Sequence, residues 1–139
     1  MAEPDKEKAL LCSQQLNHLR AYIISLNKSI MAKEIHFIYI TTASKDEARQ
    51  IGRILVEEKL AACVNILDGM ESIYTWENKL VADQECVLLA KTHSNKTEAL
   101  TQRVRELHSY TTPCVVALPV FGDEGNPDYL KWIQESVTE

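Results

Sequence analysis

Four histidines and four cysteines are the residues of this 139-residue chain best suited to hold a soft or borderline metal ion, and they are scattered. The cysteines stand at 12, 63, 86 and 114 with no Cys-x-x-Cys and no zinc-knuckle spacing, so neither a paired metal site nor a dense disulfide framework is written in the chain. Reduced thiols are the expectation. Cys86 and Cys114 sit in apolar runs, where free cysteine packs as a small hydrophobe. Cys63 as a thiolate would suit Cu(I), yet it follows a helical stretch in an apolar setting with only Lys59 near it. His108 as a neutral imidazole would suit copper or zinc, but one histidine makes no site, and it fits better a capping residue near the C-terminal end of a helix, interacting with the helix dipole. His36 and His93 flank strands and read as surface residues, and His18 belongs to the N-terminal segment. For catalysis there is little footing: no G-x-S-x-G, HExxH, P-loop or Rossmann fingerprint, and only four glycines to cradle a phosphate. The chain reads as a binding protein more readily than as an enzyme.

The elements that must position these residues follow from periodicity. Cys12, Leu16, Leu19, Ile23, Leu26 and Ile30 are spaced 4, 3, 4, 3, 4, one stripe of a helix, in a stretch without Asp or Glu from Lys8 to Lys33. Residues 1–33 therefore read as an amphipathic helical extension, either a short coiled coil, or a helix docked on its own domain or a partly disordered leader, and 34–139 as the domain proper. Ile35 to Thr41 is β-branched and aromatic. Ser44 and Glu47 form a capping box that opens a helix running to about Leu60, with Ala48, Ile51 and Leu55 facing inward. Cys63 to Leu67 and Ser72 to Glu77 read as extended, bent at Asp68-Gly69, and Trp76-Glu77-Asn78-Lys79 as a hairpin tip with Asn78 at positive φ. Glu85 to Thr92 is the next strand. Asn95 and Glu98 would cap a helix with Leu100, Val104 and Leu107 inside. Cys114 to Val120 closes the sheet, with Pro119 pointing to an edge, and Asp128 to Val137 makes a terminal helix. The order β-α-β-β-α-β, with a C-terminal helix and the N-terminal extension, is the ferredoxin-like plan of an α+β fold.

Charge narrows the partners. Fifteen basic against twenty acidic residues give −5, so no cationic field exists for nucleic acid or an anionic membrane. The same strand order occurs in RNA-recognition modules, but those need exposed aromatics in a fixed string and a basic surface. No apolar run is long enough to span a bilayer, and the Met-Ala-Glu-Pro-Asp opening has the wrong charge for a secretory signal, so a cytoplasmic protein without membrane insertion is expected.

The strands carry apolar residues on both sets of alternate positions. Phe37 and Tyr39 oppose Ile38 and Ile40; Val87 and Leu89 oppose Cys86 and Leu88; Val115 and Ala117 oppose Val116 and Leu118. Two helices cover one face of such a sheet, and each wet Ile, Leu or Val forgoes about 1.5 to 3 kcal/mol. Identical subunits packing sheet to sheet, or the N-terminal helix folded over, must bury the second face. Self-association explains the pattern even without residues 1–30.

Several strings then carry a resemblance: Glu58-Lys59-Leu60-Ala61-Ala62-Cys63-Val64-Asn65, Ser72-Ile73-Tyr74-Thr75-Trp76-Glu77-Asn78-Lys79, Lys91-Thr92, His108-Ser109-Tyr110, Leu118-Pro119-Val120 and Tyr129-Leu130-Lys131-Trp132-Ile133. In order and spacing, over about residues 34–137, the chain resembles the CutA divalent-cation-tolerance proteins. The resemblance implies a ferredoxin-like homotrimer with a role in the response to divalent metal ions. It further implies copper binding, as ascribed to bacterial members, and for animal members an association with membrane acetylcholinesterase. The trimer is similar in architecture to the PII signal proteins, which suggests small-ligand signalling by analogy of fold. Two positions depart from the copper-binding pattern: Ile40-Thr41-Thr42 stands where those members carry a cysteine, and Leu107-His108-Ser109-Tyr110 where they carry His-His-Pro-Tyr. A copper or other divalent-cation site would then rest on His108 and Cys63, gathered at subunit interfaces by the threefold axis. Lys91, Glu85, Tyr110, Tyr74, Trp76 and Trp132 lie in or near the same strings, and a lysine, a carboxylate and aromatic walls would line a pocket for a small anionic ligand between subunits. The competing role is plain interface packing, with Lys91 and Glu85 in ion pairs.

Overall fold

In the computed structural model, residues 6–31, 35–120 and 124–138 are described. The chain forms two compact units, Met1–Ala32 and Lys33–Glu139. The boundary expected at 33/34 falls outside the described residues.

The first unit is one helix, α1 (Lys6–Met31), about 39 Å long at 1.5 Å per residue. Leu16, Leu19, Ile23 and Leu26 of the expected stripe are all exposed; the side chain of Ile30 lies outside the described part. Leu10 and Ile24, off the stripe, are exposed as well, so apolar surface is spread more widely around α1 than the spacing implied.

The second unit runs β1 (Ile35–Thr42), α2 (Lys45–Glu57), β2 (Cys63–Trp76), β3 (Lys79–His93), a 3₁₀ turn (Ser94–Lys96), α3 (Thr97–Leu107), β4 (Val115–Val120) and α4 (Pro127–Val137). The sheet order is β2-β3-β1-β4 with every neighbouring pair antiparallel, which is the ferredoxin-like arrangement expected. Pro119 lies on the edge strand β4, where its missing N–H costs nothing.

Ser44 caps α2 by accepting from the Glu47 N–H at 3.2 Å, and Glu47 reaches back to the Ala43 N–H at 2.9 Å, one residue beyond the usual capping-box partner. The hairpin tip lies at Trp76-Glu77-Asn78-Lys79 as expected. Both Glu77 (φ 48°) and Asn78 (φ 61°) are left-handed, as a two-residue turn matched to strand twist requires. β2 is one continuous strand with a register shift between Leu67 and Met70, and Gly69 at φ 78° takes the bend. β3 begins six residues before Glu85, because Lys79 to Gln84 pair along the outer half of β2; they are mostly exposed, Leu80 included, and so leave no burial period to read. Asn95 does not cap α3. It sits inside the 3₁₀ turn, its N–H donating to His93 Nδ1 at 3.2 Å, and α3 starts two residues later without a side-chain cap.

One sheet face carries the rows Val64–Ala90–Ile38–Ala117 and Ile66–Leu88–Ile40–Val115. Against it pack Ala48, Ile51 and Leu55 of α2 with Leu100 and Val104 of α3, forming the core. The second face carries Cys63–Lys91–Phe37–Leu118, Asn65–Leu89–Tyr39–Val116 and Leu67–Val87–Thr41. α4 packs on β3 and β1 and covers one end of this face, with Ile133 and Val137 buried. The rest of the face is open within one chain: Leu67 is 59% exposed, and Val116 and Leu118 are 50% each.

Candidate functional site

The residues singled out above fall into separate places. On the second face, beneath α4, cross-strand partners Cys63 and Lys91 lie with Phe37 in one row. Asn126 caps α4, accepting from Asp128 N–H, and so fixes the helix start that presents Tyr129. The Tyr129 hydroxyl lies 3.6 Å from Cys63 Sγ, and Trp132, one turn on, stacks on the Tyr129 ring at 5.6 Å and 24°. Lys91 Nζ donates to Asn65 Oδ1 and lies 5.7 Å from the Phe37 ring centre and 5.9 Å from that of Tyr129. Partial burial works against the ammonium; the Tyr129 hydroxyl and the Cys63 sulfur work for it more strongly, and Lys91 is held above its ordinary pKa.

Glu85 and Lys91, expected to share a pocket, stand six residues apart on β3, about 20 Å along the strand. Glu85 instead centres a second cluster. It accepts from Tyr110 at 3.1 Å and from Ser72 at 2.5 Å, while Tyr74 donates to Asp83 at 2.6 Å. Burial first, then the Glu85 carboxylate, pushes the Tyr110 phenol up to about 12. Trp76 belongs to neither group; it is exposed at the hairpin tip.

His108 is buried, and both ring nitrogens are engaged: Nε2 donates to the Thr41 carbonyl at 2.8 Å, and Nδ1 accepts from the Tyr110 N–H at 3.0 Å. Glu47 Oε1 lies 3.7 Å from Nδ1 and accepts from the Ser109 N–H at 2.7 Å. The ring thus ties the end of α3 to β1 and leaves no nitrogen lone pair for a metal. Cys63 is level with Phe37 and His108 with Thr41, four residues along β1, about 13 Å. Within one chain the two do not fit a shared metal ion, and among the described residues no group of three or more His, Cys, Asp or Glu is placed to hold one. His36 and His93 are not plain surface residues either: His36 Nδ1 is 2.8 Å from Thr97 Oγ1, and His93 caps the 3₁₀ turn.

Asn65 and Tyr129 were missed as site residues. The signal for Asn65 is its place two residues after Cys63 on the same strand face; for Tyr129 it is the three-residue spacing to Trp132 on α4.

Residues 36–136 match the sequence model of the CutA1 divalent ion tolerance protein family. The divalent-cation tolerance protein CutA of Thermus thermophilus is 50% identical over 99 residues, 71% of this chain and 94% of that protein. Its solved structure superposes with a TM-score of 0.70 at 48% identity, covering 73% of this chain and 97% of the other. A CutA homolog of Xenopus laevis is 41% identical over 121 residues, 87% of this chain and 78% of that protein, so the likeness reaches past the family match into the N-terminal segment. The chain spans only about half the length of the mammalian and plant relatives it matches. With the family pattern matched through nearly the whole of the second unit, this chain belongs to the CutA1 divalent ion tolerance family.

Proposed function

We propose that the chain works as a homotrimeric binding protein in the response to divalent metal ions, in the cytoplasm and without turnover of its own. Residues 34–139 form its functional domain and 1–33 an appendage. The observation that carries the reading is the open part of the second sheet face. Leu67, Val116 and Leu118 stand half exposed beside Tyr39 and Leu89, and leaving each wet forgoes about 1.5 to 3 kcal/mol. Copies of the same chain recover that energy by covering the face, and the clefts between copies supply room for a ligand. Support for the metal-response role comes from the relatives named for divalent-cation tolerance. Four free thiols suit a reducing compartment, and no helix among the described residues is long and apolar enough to cross a membrane.

The second reading is a copper site made from His108 of one copy and Cys63 of another. It requires His108 to give up its bond to Thr41 or to Tyr110 and ranks behind the first for that reason. Titration with Cu(I) and Zn²⁺ against a competing chelator separates the two. The first reading predicts the same result for wild type and His108→Ala; a large loss of affinity in the variant, with assembly intact, favours the second.

A further inference from the structure

We propose that the end of the second sheet face beneath α4 is a binding site for a small oxyanion carried on a planar apolar body, an aryl carboxylate or aryl phosphate, with Lys91 as the partner of the anion. The proposal gives the binding-protein reading a ligand class, and it stands within one protomer, so it needs no particular assembly.

The charge pattern points to an anion. Among the described residues Lys45, Arg49, Arg103 and Lys131 each lie within 4 Å of a carboxylate; Lys91 does not, nor do Arg53, Lys59, Lys79, Lys96 and Arg105, and what sets Lys91 apart from these is its place, partly buried, over two aromatic rings. Its neighbours are an amide oxygen, two aromatic rings and a cysteine sulfur, none of them a carboxylate. An ammonium has three donors, and one is taken by Asn65. The Tyr129 hydroxyl and the Cys63 sulfur are the other groups beside the ammonium, and the oxygens of an incoming anion would take its remaining donors in their place. The partly buried setting strengthens such charge-assisted bonds over their worth in water.

The walls point to a flat apolar body. The Phe37 and Tyr129 ring centres lie 5.7 and 5.9 Å from the Lys91 ammonium, and Trp132, 45% exposed, extends this aromatic wall by stacking on Tyr129. A ring seated against Trp132 would put its carboxylate or phosphate toward Lys91. The same ammonium repels a metal cation approaching Cys63, which makes this end of the sheet an anion site in preference to a metal site.

Isothermal titration of the full-length protein decides it, with benzoate and phenyl phosphate as probes, inorganic phosphate as an anion without the ring and benzyl alcohol as a ring without the charge. The expected result is saturable binding of benzoate or phenyl phosphate, at least tenfold tighter than benzyl alcohol, roughly the worth of one charge-assisted bond. Comparing the two identifies which oxyanion is preferred, and weaker binding of inorganic phosphate shows the contribution of the ring. Lys91→Met, which keeps the length and apolar bulk of the stem, should lose that preference, and Trp132→Ala should weaken the aryl probes while leaving inorganic phosphate unchanged. Equal binding of benzoate and benzyl alcohol by the wild type, no saturation by either aryl anion in the millimolar range, or undiminished binding in a folded Lys91→Met would each overturn the proposal. The wild-type comparison stands even if a variant fails to fold. The assembly mass, measured separately, decides the trimer reading independently.

Discussion

His108 Nε2 lies 2.8 Å from the carbonyl oxygen of Thr41, so the residue best suited by type to hold a metal is spent as a strut between α3 and β1. Removing the ring leaves the Thr41 carbonyl and the Tyr110 N–H without partners and opens a cavity at a buried position. His108→Ala should therefore lower the unfolding free energy by about 3 kcal/mol in chemical denaturation. A cost near zero would mean that the ring is free and return it to the pool of candidate ligands.

Glu47 gives the fold an acid-sensitive joint. Partial burial raises its pKa, but hydrogen bonds from the Ser109 N–H and side chain and from the Ala43 N–H lower it further, and the net is a carboxyl below its ordinary 4.5. A depressed carboxylate contributes its full stability above the unfolded-state value and loses it as pH falls through the lower folded-state value. Glu47→Gln should cost about 1 kcal/mol at neutral pH, a gap that narrows as pH drops below 4.5. Denaturation curves of both proteins at neutral and acid pH measure it; a gap that stays constant removes the ionised carboxylate from the account.

Gly52 lets α2 approach the sheet closely. A Cβ there would meet Val64 Cγ2 at 2.9 Å and Leu88 Cδ1 at 3.3 Å, and a β-branched neighbour has little freedom to swing away. An exposed helical glycine gains up to about 1 kcal/mol when replaced by alanine. Here overpacking outweighs the gain, and Gly52→Ala should destabilise by about 1 kcal/mol or more. A rise in melting temperature would show that α2 has room to shift.

Much of the fold was legible because burial leaves a period. Ile38 and Ile40 opposite Phe37 and Tyr39 gave the strand and announced a second apolar face, and Ser44 with Glu47 gave the start of α2. What was not legible depends on docking. The terminal helix was visible in the spacing of Tyr129, Trp132 and Ile133, but nothing local says that it lies over Cys63 and Lys91. The expected strand Glu85–Thr92 already set Glu85 and Lys91 six residues apart; what it does not show is which distant groups meet each, Tyr110 and Ser72 at Glu85, Asn65 and Tyr129 at Lys91. Asn95 looked like a cap, and the imidazole of His93 took the capping role one turn earlier.

The open sheet face makes the strongest demand on the molecule, and the mass of the folded protein in solution tests it most directly. Sedimentation velocity down to nanomolar concentration should give about three times 15.8 kDa, the same stoichiometry after removal of residues 1–30, and dissociation on Leu118→Asp, which charges a half-exposed side chain of this face on the edge strand β4. Folded particles of 15.8 kDa for the wild type would contradict the account, because Leu67, Val116 and Leu118 would then stand in water with no partner to cover them.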